Sequence, residues 1–457
     1  MTISRRTLVR GLSAGALGTG MLGVGALSGC TRPGRRPKQT EGPSAAALVE
    51  PETPLVIGQI GAAYGRMGAA ERAISLAIDE ARIEINARWD GLFGKDITLL
   101  ERHVVQEPGE DLDGFVAELV DKGATCLISS VDEDSLVAMM PAIVDAGIAV
   151  IDVLSTGMSV RDPEVSTANL LTRLCPDERI IAQRYAEEAL GSSSDDAGPP
   201  GTIAVVSEDT AQGRSLVHEL EQILNPRGGT VHAPQLYPPG KIGDVGAMVK
   251  AVLKDLPALV VVNGGPETAA FVSALYKAGL DDDGRPERRL PVRLSPAATL
   301  DHVALGTTEG LVPGCYDSAS GYRPGGEVTV DHENMMLNRS AEFLRTGYGY
   351  SQQAYDAVVI ACLAAQHALS VEGSALAAAF PAVLTGQDAC PDYDSCRGIM
   401  RTALDQESRA TITYEGHSGE LVLGPQGDVS RGGLREYTWT EDLALKEPSV
   451  SSFEAEG

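Results

Sequence analysis

The chain has 457 residues, 43% of them hydrophobic and only 4% aromatic, and a formal net charge of −26. That is enough apolar residue for two domains with cores of their own. So acidic a composition excludes nucleic acid, or an anionic membrane surface, as the main partner of the folded part.

The first stretch reads as an address. Ser4-Arg5-Arg6-Thr7-Leu8-Val9 has the form of a twin-arginine export motif, and a charge-free Gly/Ala/Leu-rich run from Gly11 to Gly29 follows. Its many glycines suit the apolar part of a signal peptide better than a permanent span. Arginine pairs are ordinary in such leaders, so the residues leave the Tat and Sec routes both open. Leu27-Ser28-Gly29-Cys30 resembles the bacterial lipobox, in which the cysteine is diacylated and becomes the mature N-terminus. Residues 1–29 are therefore expected to be a signal peptide and 30–54 a lipidated flexible tether. The tether carries Pro33, Pro37, Pro43, Pro51 and Pro54 and almost no large apolar side chain, so it cannot build a core. Arg32, Arg35, Arg36 and Lys38 suit anionic headgroups and plain solvation equally. The expected location is the outer face of the bacterial cytoplasmic membrane.

Beyond the tether, short apolar runs alternate with amphipathic ones. Leu55 to Ile60 predicts a strand, and Ala70, Ala73, Ile74, Ala77, Ile78, Ala81 and Ile85 mark one face of a helix. Strands at Ile97–Leu100, Cys126–Ile128 and Ile148–Val153 follow, with helices around Phe115–Val120 and Leu136–Ala146. After a polar loop from Gly191 to Pro200 the pattern resumes, with strands at Thr202–Val206, Thr230–Leu236 and Ala258–Val262. Helices at Arg214–Leu224, Val245–Leu256 and Glu267–Ala278 separate and follow them. Such alternation means parallel sheets built from βαβ units, and two runs mean two similar lobes.

Cysteine usage fits export. Of seven cysteines, Cys390 and Cys396 flank a short polar loop with no histidine beside it, which reads as a small disulfide rather than a metal site. Cys126 and Cys362 lie in apolar runs and read as core residues. Enzyme signatures are missing. The glycines Gly58, Gly61 and Gly65 do not have dinucleotide-fingerprint spacing, and no Gly-x-Ser-x-Gly elbow occurs. His218-Glu219 and His332-Glu333 lack the second histidine of a zinc-protease helix. Asp281-Asp282-Asp283-Gly284 is too compact for an EF-hand loop.

Several segments, in order, resemble the type I solute-binding proteins of ABC importers, specifically the branched-chain amino-acid (Leu/Ile/Val) receptor family. They are Ile57 to Gly68, Leu76-Ala77-Ile78-Asp79-Glu80, Gly94-Lys95-Asp96-Ile97, Ile128-Ser129-Ser130 through Pro141, and Ala146 to Ile151. Asn263-Gly264-Gly265-Pro266-Glu267, Glu309-Gly310-Leu311-Val312, Tyr355-Asp356-Ala357-Val358 and the glycines of Tyr414 to Val429 continue the match. The resemblance covers Leu55 to about Trp439.

It implies an α/β fold of two Rossmann-like lobes joined by three hinge crossings, near Leu174, Tyr316 and Gly419. Lobe 1 would be 55–173 and 317–418, lobe 2 174–316 and 419–445, and 446–457 a tail. It also implies a small solute, amino-acid-like or another small carboxylate, held between the lobes and passed to ABC permease subunits. The protein would be monomeric, with no cofactor, no metal and no enzymatic activity. A ligand-sensing lipoprotein of the same fold, signalling to a membrane partner, would share these residues.

For the site, the resemblance points to Ser129, Ser130, Ser135, Ser155 and Thr156 on lobe 1. There, hydroxyls and helix N-terminal amides suit an anionic group; turn and N-cap chemistry is the bland alternative for each. Tyr64 and Tyr355 are expected to offer aromatic rings, and Asp209, Thr210 and Gly264 to come from lobe 2. Two departures from the family weaken a standard amino-acid ligand. Thr210-Ala211-Gln212-Gly213 lacks the usual aromatic, and the strand ending Leu294-Ser295 lacks an acidic residue; Asp132, Glu133 and Asp134 could supply one. The family also implies that crossing strands lie side by side, so a Cys175–Cys315 disulfide is expected.

Overall fold

The structure, a computed structural model, describes residues 50–192, 197–446 and 448–455. The signal peptide, Cys30 and nearly all of the tether lie outside the described residues.

The first run comprises β1 (Val56–Ala62), α1 (Gly65–Gly68), α2 (Glu71–Arg88), β2 (Thr98–Leu99), β3 (His103–Val105), α3 (Asp113–Asp121), β4 (Cys126–Ser130), α4 (Glu133–Ala146), β5 (Ala149–Asp152) and β6 (Leu171–Pro176). The second comprises α5 (Glu178–Leu190), β7 (Thr202–Glu208), α6 (Ala211–Leu224), β8 (Thr230–Val231), β9 (Gln235–Tyr237), α7 (Val245–Lys254), β10 (Leu259–Asn263), α8 (Ala269–Ala278), β11 (Val292–Leu294) and α9 (His302–Leu305). The chain then returns through β12 (Ala319–Pro324), α10 (Val330–Arg339), α11 (Phe343–Thr346), α12 (Ser351–Ala368), α13 (Gly373–Leu384), β13 (Asp388–Cys390), α14 (Tyr393–Asp405), β14 (Ile412–Tyr414), β15 (Val422–Leu423), β16 (Asp428–Tyr437) and β17 (Ser449–Glu454).

The strand order is β2-β1-β4-β5-β6-β16-β12-β11-β10-β7-β8. Strands β2, β1, β4, β5 and β6 form one half, called lobe 1 below, and β12, β11, β10, β7 and β8 the other, called lobe 2; β16 joins them, parallel to β6 and antiparallel to β12. The two parallel sheets are thus hydrogen-bonded into one path through three hinge strands. Leu174 lies within β6, whereas Tyr316 and Gly419 precede the crossing strands β12 and β16. The stretch expected as a tail carries β17, which pairs antiparallel with β16.

Sequence and burial agree along these strands. Leu259 and Val261 of β10 join one core and Val260 and Val262 the other. A strand covered on both faces reads as an unbroken apolar run, and β10 does.

The hinge is fastened by charge. Arg173 on β6 donates to both carboxylate oxygens of Asp428 on β16, at 2.6 and 2.9 Å, and Arg161 adds bonds of 2.7 and 3.0 Å. Burial alone would raise the Asp428 carboxyl, but the two guanidiniums hold it down at about 2. Arg173 also donates to the Gly157 carbonyl at 2.6 Å, tying the hinge to a loop of lobe 1.

Cys390 and Cys396 form a disulfide, and Cys126 and Cys362 are buried and free. The expected Cys175–Cys315 bridge is absent, since both thiols are free. The strand order explains it. β16 lies between β6 and β12, and β6 pairs with it at Asp428–Val429 whereas β12 pairs at Leu434–Tyr437, so the two cysteines are offset along the sheet as well as across it, beyond disulfide reach. Cys175 instead packs in the first core and donates to the Val153 carbonyl, while Cys315 packs in the second.

A candidate solute site between the lobes

Parallel strands deliver their carboxyl ends, and the N-termini of the helices that follow, to one edge of each lobe. Asp132 caps α4, accepting from the Ser135 amide at 2.7 Å, Asp177 caps α5, and Thr210 caps α6. Each cap fixes the direction of the next residue. Glu133 and Glu178 are therefore the first residues of α4 and α5, and they face each other across the gap between lobes.

Neither is solvated: Glu133 is 0% and Glu178 2% exposed. Glu133 Oε1 accepts from the Thr156 and Gly157 amides at 2.8 and 2.7 Å. Its other oxygen lies 3.4 Å from Arg66 Nη2. Glu178 Oε2 accepts from Thr156 Oγ1 at 2.7 Å and from Gln212 Nε2 at 2.6 Å. Gln212 is held in turn by Asn263 Nδ2 at 2.7 Å. Glu208, at the end of β7, accepts from the Gly240 amide at 2.8 Å and the Arg66 amide at 3.3 Å. Thr156–Glu178, Arg66–Glu208 and a 2.9 Å bond from the Met158 amide to Ser215 Oγ all cross from lobe 1 to lobe 2.

Electrostatics follow from this crowding. Burial pushes the Glu178 carboxyl up to about 7, against the pull of Thr156, Gln212 and Arg66. Burial likewise raises Glu208. For Arg66 burial works the other way, yet Glu133, Tyr350, Glu208 and Glu178 hold its guanidinium above the usual value. A separate cavity of ≈230 Å³, lined by none of these polar residues, is bounded by Ala70, by Ala73 of α2, by Pro296 and Leu300, and by Tyr350. A hollow in lobe 2 beside Tyr276 and Cys315 has only ≈30 Å³, about the space of one water.

The sequence-predicted residues divide. Thr156 is at the centre of the cleft. Ser155 is beside it, wholly buried, with its amide on Asp152 Oδ1 at 2.6 Å and its hydroxyl towards the same carboxylate. Tyr64 caps the entrance to α1 and hydrogen-bonds Asp132. Ser129 is buried in β4. Ser130 accepts from Arg102 at 2.5 Å, and Arg102 is paired with Glu71, so that hydroxyl is engaged within lobe 1. Ser135 and Thr210 serve helix caps. Asp209 is exposed at the rim, where Arg214 joins it at 2.8 Å to Asp134 of lobe 1 at 3.1 Å. Gly264 is buried under Tyr237, whose hydroxyl would lie 1.9 Å from an added Cβ. Tyr355 is not at the cleft. It bonds Glu84, far along α2 and about 20 Å from that helix's N-terminus at 1.5 Å per residue.

The aromatic residue that does reach the cleft is Tyr350, just before α12, at φ 63°. A bulky residue in the left-handed region is a marker of functional constraint. Arg66, Glu178 and Glu208 had no individual role in the sequence reading. Each sits at or near a strand end or helix start, where sequence gives no sign of inward or outward direction.

The sequence profile of the periplasmic binding protein family matches residues 54–398. The chain belongs to that family, in its type I architecture. No curated protein sequence matches it. Among solved structures it is similar to LivJ, a branched-chain amino-acid transporter substrate-binding protein of Streptococcus pneumoniae in complex with isoleucine. Identity there is 14%, coverage 88% of this chain and 100% of that one, and the TM-score 0.62. The leucine-binding protein LivK of Thermotoga maritima is 13% identical, with 87% and 98% covered and a TM-score of 0.63. An ABC-transporter solute-binding protein of R. palustris in complex with benzoate is 13% identical, with 88% and 97% covered and a TM-score of 0.59.

Proposed function

We propose that this protein is an extracytoplasmic solute receptor that captures a small molecule between its lobes and delivers it to the permease of an ABC importer. In this reading Cys30 carries the lipid anchor and the residues up to 54 are the tether. The observation that carries it is the convergence of Thr156, Glu133 and Arg66 from lobe 1 with Glu178, Gln212 and Glu208 from lobe 2 on one buried cleft. An interior with three carboxylates beside one guanidinium is costly unless something is bound or released there. The solved relatives with isoleucine and benzoate support a small polar solute. A solute with an amino group fits the cleft better than a plain carboxylate, because Glu133 already holds the Thr156 and Gly157 amides.

Thermal unfolding in the presence of a panel of small solutes tests the reading. One chemical class should raise the midpoint in a dose-dependent way, and the Gln212→Ala variant should reduce that rise. A panel spanning amino acids, amines and carboxylates that moves nothing would contradict it. For the anchor, Cys30→Ala should leave the protein unacylated by mass spectrometry; an unmodified Cys30 in the wild type would refute that part.

A further inference from the structure

The groups best suited to an anionic solute are already taken by the protein. Two successive backbone amides, of Thr156 and Gly157, converge on one oxygen of Glu133 at 2.8 and 2.7 Å. Arg66 faces the other oxygen. Nor can the loop simply slide away, since Arg173 fixes the Gly157 carbonyl from the hinge side. An added Cβ at Gly157 would stand 3.1 Å from both the Glu133 carboxylate and the Gln212 Cα, so the three segments are in close contact. A carboxylate in this corner would lie among Glu133, Glu178 and Glu208. Like charges in a buried site cost far more than at a surface.

We propose that Glu133 is the specificity-determining residue of the cleft, an internal carboxylate that excludes anionic solutes and selects a solute bearing a positively charged amine or guanidinium. This rests on the solute-receptor reading above and names its ligand class. Three carboxylates, Glu133, Glu178 and Glu208, surround one guanidinium, which leaves the corner net negative. Arg66 Nε, on a residue 6% exposed, lacks a partner there and can donate to a neutral oxygen of the solute. The raised Glu178 carboxyl fits this assignment. A bound cation favours its charged form, so uptake near pH 7 releases a fraction of a proton.

Isothermal titration calorimetry of the full-length protein with agmatine, isoleucine and benzoate tests the proposal, using wild type, Glu133→Ala and Glu133→Gln. Agmatine should bind wild type most tightly, and repeating the titration in buffers of different ionisation enthalpy should reveal proton release. Glu133→Ala should lose at least about tenfold in agmatine affinity and gain at least about tenfold for benzoate, since about 1.4 kcal/mol separates each decade. Glu133→Gln keeps an acceptor on the two amides, so it should weaken agmatine without admitting benzoate, and it serves as the check if Glu133→Ala misfolds. Benzoate or isoleucine binding wild type more tightly than agmatine would overturn the charge assignment and leave the receptor reading standing. No binding of any probe to any of the three proteins would overturn both.

Discussion

Replacing Asp428 with Asn should be among the most damaging single changes at the hinge. The carboxylate is 7% exposed and the Arg173 side chain 0%. Between them, Arg173 and Arg161 place four donors on its two oxygens. With the carboxyl held at about 2 in the fold against an ordinary 3.8, the shift alone is about 2 kcal/mol of stabilisation at neutral pH. The sign is that of a depressed carboxylate: the contribution is present above about pH 4 and lost as pH falls towards 2. Removing the charge also leaves two buried guanidiniums uncompensated, which brings the expected loss to about 3–5 kcal/mol. Arg173→Met should cost less, because Asp428 keeps Arg161. Urea unfolding followed by circular dichroism measures both, with the slope checked for constancy. A loss under about 1 kcal/mol for Asp428→Asn, or a larger loss for Arg173→Met, would refute the reasoning.

Two further outcomes follow from the buried groups. Glu178 has a raised folded-state carboxyl, so its contribution is fully present below pH 4.5 and is lost as pH rises through about 7; the difference is about 3 kcal/mol. Glu178→Gln should flatten that part of the midpoint-against-pH curve, and an unchanged curve would show that Glu178 is not the titrating group. Thiol titration of denatured, unreduced protein should find Cys126, Cys175, Cys315 and Cys362 reactive and Cys390 and Cys396 protected. Reducing the disulfide should cost roughly 2 kcal/mol on the chain-entropy relation for so short a loop, and a cost above about 4 kcal/mol would point to a larger structural role.

The architecture was legible because periodicity reports burial, and burial sets the layers. The helix face from Ala73 to Ile85 and the apolar runs of β4, β7 and β10 all lie in the cores. Direction within a turn was not legible. Asp132-Glu133-Asp134 reads as a possible source of an acidic group without saying which residue supplies it; Asp132 caps α4 and turns Glu133 inward while Asp134 stays at the rim. Tyr355 has the family's motif position, but in α12 it faces α2; Tyr350, outside the helix and in a left-handed conformation, has no periodic signature at all. The missing Cys175–Cys315 bridge has the same origin. Which strands cross the hinge can be guessed in sequence order, but the insertion of β16 between them is a property of the sheet.

Hydrogen–deuterium exchange, with and without the tightest-binding solute from the thermal panel, tests most directly whether the cleft is the binding site. The amides of Arg66, Thr156, Gly157 and Gly240, which face Glu133 and Glu208, should exchange more slowly with solute bound, along with the segment from Glu208 to Gly213. Protection absent from those segments and confined elsewhere, for instance to the lobe 2 hollow around Tyr276 and Leu290, would contradict it.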